Sequence, residues 1–337
     1  MHNFDFYTFC SQEAHSSDYN NRIDMKKLFS VFFLAVFLWS LMPTEAQAQD
    51  PRWTKRKRYF TLGGSLGATN YFGDIVPEAS FTSLGLSSTR HNVGMHYAYK
   101  MFPRVAFRGS LSWGRIYGDD AKSASENEAD NLPRFKRNLS FRSDIKELAL
   151  TAVIDLFQNR QMYTRRPDFA PYGFIGIAAF HHNPKAYTDK APGVPAGWYA
   201  LQPLGTEGQN VPAGPGVNYP KPYSRIQVAI PFGVGVKYRL DRQWDFGFEI
   251  GWRKTLTDYL DDVSGTYADK NDLNTVNPTG LSAYFSDRSA ESGYTELAGY
   301  GHKGDQRGDV TDKDWYIVTN IHLTYILPAR NKGPKYR

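Results

Sequence analysis

The chain has 337 residues, of which 22% are charged and 41% hydrophobic, and its formal net charge is +6. A single cysteine, Cys10, excludes a disulfide framework and a cysteine-built metal site. No stretch after residue 48 is apolar enough to cross a bilayer as a helix, so a membrane role would have to be carried by strands.

The chain order begins with a secretion signal. Met25-Lys26-Lys27 precedes an apolar run from Leu28 to Met42, and Ala46-Gln47-Ala48 follows as a small-residue cleavage site. Residues 25–48 are therefore expected to be a signal peptide, and the polar residues 1–24 an over-extended start ahead of Met25. Three basic and five acidic residues would leave with residues 1–48, which moves the net charge from +6 to +8. A basic segment, 49–58, then leads into the folded part.

Eight segments alternate apolar and polar residues with period two, the pattern of a strand with one buried or lipid-facing side. The first runs from about Tyr59 to Phe72, with Phe60, Leu62, Leu66 and Ala68 on the apolar face. The second places Val93, Met95, Tyr97 and Tyr99 outward and turns at Met101–Arg104 into the third, with Val105, Phe107, Leu111 and Trp113. A fourth sets Leu148, Leu150, Ala152, Ile154 and Leu156 against Glu147, Thr151 and Asp155. The fifth covers Tyr172 to His181. The cleanest is the sixth, Ile226 to Leu240, which turns at Asp241–Trp244 into a seventh carrying Phe246, Phe248, Ile250 and Trp252. The eighth spans about Trp315 to Leu327.

The connections alternate between long and short, with four residues after the second and sixth strands against roughly 40 and nearly 60 for the largest loops. Short turns belong on the periplasmic side of an outer-membrane barrel and long loops outside. The expected fold is all-β, a transmembrane antiparallel up-and-down β-barrel of about eight strands over residues 59–327. Both termini would lie in the periplasm, with 328–337 as a basic tail. The 15% aromatic content, including 22 tyrosines, fits the aromatic girdles of such barrels.

An eight-stranded barrel is filled by its own side chains, and Arg108, Glu147, Asp155, Lys237, Glu249 and Arg253 share the lumen-facing parity. Charges of both signs in a confined space predict a paired network rather than an open pore. A second group is basic: Arg52, Lys55, Arg56, Lys57, Arg58, Arg160, Arg165 and Arg166 gather on the turn side, where they could meet anionic headgroups or an acidic periplasmic protein. The acids Asp258, Asp261 and Asp262 in TDYLDDVS (257–264) are a weak candidate for a cation, because their spacing lacks a regular ligand ladder. Glycine-rich GTEGQ (205–209) reads as loop geometry. The chain has no H-E-x-x-H motif, and neither an enzyme activity nor a cofactor is expected.

The segments NYFGDI (70–75), RNLSFRSDIKEL (137–148), PLGTEGQ (203–209), AIPFGVGVKY (229–238), RKTLTDYLDDVSGTY (253–267) and KDWY (313–316) together resemble the PorG-like outer-membrane β-barrel proteins of the type IX secretion system. That resemblance implies a barrel of the OmpA/OmpW-like porin class without catalytic residues. It also implies association with a periplasmic ring lipoprotein and other subunits of the secretion machine, for which the basic turn side would be the docking face. The alternative is a stand-alone small barrel serving envelope maintenance or passive transport.

Overall fold

The computed structural model describes residues 53, 57–76, 88–124, 132–214, 218–292 and 301–327. The expected signal peptide, the basic residues Arg52, Lys55 and Arg56, and the tail 328–337 lie outside the described residues. Among the described residues ten strands form one sheet: β1 Tyr59–Phe72, β2 Arg90–Lys100, β3 Val105–Asp119, β4 Ser140–Asp155, β5 Phe169–His181, β6 Pro184–Thr188, β7 Gly197–Ala200, β8 Ile226–Arg239, β9 Trp244–Thr255 and β10 Trp315–Leu327. The order β3-β2-β1-β10-β9-β8-β5-β4 is closed by an additional β3–β4 pairing, so eight antiparallel strands make a barrel. Closure removes every free strand edge from that ring, which is the condition for strands to cross a hydrocarbon layer.

The outer face of the ring is apolar. Leu62 and Leu66 on β1, Met95 on β2, Leu111 on β3, Leu148 and Leu150 on β4, Ile177 on β5, Val228 on β8, Phe248 on β9 and Ile321 on β10 are all exposed. Burying none of these against protein would be untenable in water, and their encirclement of the barrel marks a lipid-facing belt. Along β4 the belt runs from Leu148 to Leu156, about nine residues at ~3.3 Å each and a tilt of ~40°, which gives ~23 Å, near the ~25 Å of such belts. Aromatic pairs ring its two margins: Phe60 stacks on Tyr97 and Tyr99 (centroids 5.5 and 4.5 Å) and Trp244 meets Tyr325 (4.9 Å) at one end. Phe232, Trp252 and Trp315 group at the other.

β3 and β4 are longer than the alternation predicts. β4 starts at Ser140 rather than near Glu147, because the apolar face changes sides along the strand. In the belt Leu148 and Leu150 point outward, whereas above it Phe141 and Ile145 are buried on the inward parity while Arg142, Asp144 and Lys146 take the outward one. The strand keeps its period of two, but outside the membrane the solvent is on the outer side and the apolar core is within.

That core belongs to a cap. The long connections fold together over one mouth of the barrel, burying Tyr71, Ile75, Ile116, Leu139, Phe141, Leu201, Leu260, Val263 and Phe285 in one cluster with the upper barrel wall. The two large loops contain β6, β7 and two helices, α3 Lys270–Val276 and α4 Leu281–Ser286, while the shorter loop after β3 contributes α1 Asp120–Ser123 and α2 Leu132–Arg137. The β6–β7 hairpin continues the barrel wall from the upper part of β4. Asp269 caps α3 by accepting from Asn271 N at 2.8 Å.

Candidate functional site

The lumen holds a column of ionic layers. Arg108 Nη1 lies 2.6 Å from Glu249 Oε2, and Tyr172 donates to the same oxygen at 2.8 Å. One step toward the loop end, Arg253 meets Glu147 at 3.3 Å and Tyr316 donates to Glu147 at 2.6 Å. One step toward the turn end, Asp155 accepts from both Lys100 and Lys237, the latter at 3.0 Å. All six lumen residues predicted from parity are thus inside and paired, with Lys100, Tyr172 and Tyr316 as further partners. Each layer holds both signs, so every charge has an opposite partner beside it, without which its burial in a dry interior would be costly.

Between the layers, His96 and His322 stand edge to face with ring centroids 5.6 Å apart, and His96 Nε2 is 3.1 Å from Thr324 Oγ1. Glycine makes room for both rings: a Cβ on Gly63 would come within 2.4 Å of His96 and one on Gly247 within 2.0 Å of His322. Ser65, His96, Arg108, Thr151, Glu249 and His322 help line a cavity of about 30 Å³. A space of that size admits a water molecule or two and not a hydrated solute. The run Gly63-Gly64-Ser65-Leu66-Gly67 has the spacing of a hydrolase nucleophile motif, but it lies mid-strand in β1 without the strand-to-helix elbow that gives such a serine its exposure.

The cap is organised by buried acids and arginines. Glu207 accepts from Ser264 N (2.9 Å), Gly265 N (3.3 Å), Tyr259 Oη (3.1 Å) and Arg307 Nη1 (2.8 Å), and it is wholly buried. Its loop turns at Gly205 and Gly208, with φ of +64° and +84°, a region L side chains rarely adopt. A second pair joins Arg137 to Asp120 at 2.8 Å by two nitrogens, and Asp120 also accepts from Leu139 N. Tyr71 Oη lies 2.7 Å from Asp261 Oδ2 and 2.8 Å from Asp314 Oδ1, bridging two carboxyl groups.

The acidic run does not form a cation site. Asp258 accepts from Ser264 Oγ, Asp261 from Tyr71 and Val263 N, and Asp262 from Thr206 and Tyr223, so the three carboxyls point to different partners. Among the described residues no group of three His, Cys, Asp or Glu is placed to hold a metal. Asp262, at φ +72°, is one of two described non-glycine residues in the left-handed region and is held there by its two side-chain partners. Burial raises the carboxyls of Asp74, to about 7, and of Asp262, to about 6, against the opposing pull of the Asp309 amide and of Arg307 respectively. Asp261 and Asp314 are also raised, first by burial and then by each other or neighbouring acids.

Burial takes His182 and one of the basic turn-side residues away from the surface. His182 is fully buried and its Nε2 faces the carbonyl of Ser224, 3.3 Å away, rather than the hydroxyl. Arg166 is not available to a partner: it is buried, binds Asp245 at 2.9 and 2.7 Å, and donates to the carbonyls of Tyr163, Arg242, Asp241 and Trp244. It ties the β4–β5 connection to the β8–β9 turn. Arg165 next to it is exposed, Arg160 is half-buried and donates to Gln158, and Lys57 and Arg58 are half-buried beside the start of β1. Sequence could not separate Arg166 from Arg165, although Asp245 on the inward parity of β9 needed a cation.

Residues 52–193 match a family model described as a domain of unknown function, DUF6089. No curated protein matches the chain. Among solved structures, Neisserial surface protein A is 8% identical with a TM-score of 0.34, over 79% of this chain and 96% of that one. The outer membrane protein OprG of Pseudomonas aeruginosa is 9% identical with a TM-score of 0.35, over 82% and 98%. The attachment invasion locus protein Ail of Yersinia pestis is 8% identical with a TM-score of 0.31, over 80% and 97%. The closed ring of eight strands and its encircling apolar belt make this chain a small outer-membrane β-barrel.

Proposed function

We propose that the protein is a stand-alone, non-conducting outer-membrane barrel that holds a folded cap at the membrane surface, serving the envelope through that cap rather than passing solutes. The observation that supports it is the lumen: three ionic layers span it, and the cavity among them that His96, Arg108, Glu249 and His322 help line is only about 30 Å³. With short turns periplasmic and long loops outward, the cap faces the exterior and both termini the periplasm. Passive transport is the weaker form of this reading, since a path would need several buried ion pairs to part at once. Swelling of liposomes that carry the purified protein in isosmotic sugar tests it. No swelling above protein-free liposomes is expected, and size-dependent sugar uptake would refute a sealed lumen.

A second reading, a non-enzymatic component of the type IX secretion apparatus that anchors its periplasmic ring, is favoured by one observation. The segments that carry the resemblance converge in space: Tyr71 and Asp74, Arg137, Glu207, Asp261, Asp262 and Asp314 all take part in the buried network of the cap, and Arg253, Glu147 and Tyr316 continue it into the lumen. These shared residues lie away from the turn side, where Arg165 and Arg160 remain the docking candidates for a periplasmic lipoprotein. Crosslinking in intact cells followed by purification of a tagged copy distinguishes the readings. Ring lipoproteins lost on Arg165→Glu favour secretion, and recovery of the barrel alone favours the stand-alone role.

A further inference from the structure

The outward surface of β3–β6 at the loop-end margin of the belt is unusually cationic. Strand register puts Leu148 level with Leu111 and Ala179, Lys146 level with Trp113 and His181, Asp144 level with Arg115, and Arg142 level with Lys185. Moving up this wall, the surface passes from aliphatic to aromatic to basic within about three residue pairs, or roughly 20 Å of strand. Four cations, Arg115, Arg142, Lys146 and Lys185, face one acid, Asp144, which is bound to Arg115 at 2.6 Å. Neither Lys146 nor Lys185 forms an ion pair with a described residue. On the opposite wall the same height carries Ile317 and Trp315, with one cation, Lys254, over the Trp315 ring.

Arg142 is held in position from one side. Its guanidinium carbon sits 3.6 Å from the centroid of the Trp198 ring, on β7, and its Nε is buried without a hydrogen-bond partner, which leaves the terminal nitrogens as the edge a ligand would meet. A cation stacked on an aromatic face keeps its N–H edge for an oxyanion. Here that edge stands beside Lys185 and above Lys146, with an apolar wall directly below. Cations at a membrane margin over an apolar surface match one kind of molecule, a lipid with an anionic headgroup.

We propose that this wall binds a phosphorylated lipid of the leaflet facing the loops, with its phosphate on Arg142, Lys146 and Lys185 and its acyl chains along Leu148, Leu111 and Ile177. The β6–β7 hairpin completes the site by supplying Lys185 and Trp198, which gives this extension of the barrel wall a purpose. The inference depends on the barrel lying in a membrane and is independent of whether the lumen conducts.

The test uses the full chain, purified in neutral detergent and incubated with diphosphoryl lipid A, with its dephosphorylated counterpart, or with inorganic phosphate, with native mass spectrometry as the readout. Retention of the phosphorylated lipid at least tenfold above the dephosphorylated one is expected. Lys146→Gln with Lys185→Gln, both outward and off the buried cap network, should weaken retention on the order of thirtyfold, while Arg165→Gln leaves it unchanged. Equal retention of the two lipids would overturn the proposal, as would an unaffected double variant or displacement of the lipid by millimolar inorganic phosphate. An intact barrel in the double variant, shown by unaltered migration of the unheated protein on a gel, separates lost binding from lost fold.

Discussion

Glu207 and Arg307, 100 residues apart in the chain, form an ion pair 2.8 Å long whose side chains are 0% and 1% exposed. The two residues come from different long loops, and Arg307 also donates to the carbonyls of Asp262 and Ser286. One guanidinium therefore fastens the two largest loops to each other over the barrel mouth.

Arg307→Met should loosen the cap strongly. It leaves the Glu207 carboxylate buried without its cation, a loss of about 3–5 kcal/mol in comparable buried pairs. Limited proteolysis of the folded protein should then cut within residues 203–214 or 256–313 while the barrel strands survive. Adding Glu207→Gln should recover part of the resistance, because it removes the unpaired charge. A protease pattern identical to the unaltered protein would mean that the pair does not hold the cap.

Neighbouring arginines should behave oppositely. Arg166→Ala removes two contacts to Asp245 and four to backbone carbonyls at the turn end, and should destabilise the barrel by roughly 2–4 kcal/mol. Arg165→Ala, at an exposed position, should stay within about 0.5 kcal/mol. Urea unfolding of the two variants in lipid vesicles provides the comparison, and equal midpoints would contradict the placement of Arg166.

The cap should weaken as pH rises. Asp74 and Asp262 have carboxyls raised to about 7 and about 6 by burial, so the folded cap binds protons that the unfolded chain has already released above pH ~4. Stability from these groups is complete below that point and is lost progressively up to about pH 7. Asp74 Oδ1 accepts from Asp309 N at 2.9 Å and its Oδ2 is buried without a partner, a geometry that suits the protonated acid. Hydrogen exchange in residues 256–276 should be slower at pH 5 than at pH 7.5, after correction for intrinsic rates, and Asp74→Asn with Asp262→Asn should flatten the difference. Faster corrected exchange at pH 5 would reverse the sign and contradict the account.

The barrel was largely legible in the sequence and the cap was not. Leu148 and Leu150 alternate with Thr151 and Glu147 because one side of β4 meets lipid and the other a polar lumen, and that contrast is written into adjacent residues. Phe141 and Ile145 obey the same period with the opposite sense, since water and core exchange sides above the belt, and a reading tuned to lipid outside stops short there. Glu207, Asp262 and Arg307 look like ordinary loop charges because their partners lie tens of residues away. The pairs Arg108–Glu249 and Arg253–Glu147 were approachable from parity alone. Which acid meets which base depended on strand register across the ring.

A lumen closed by three ionic layers passes no ions, and single-channel recording of the purified protein in planar bilayers shows whether it does. In 1 M potassium chloride the protein should give no stepwise current, whereas Arg108→Ala with Glu249→Ala, which empties the middle ionic layer, should give brief openings. Regular ohmic steps from the unaltered protein would contradict the account and restore passive transport as its function.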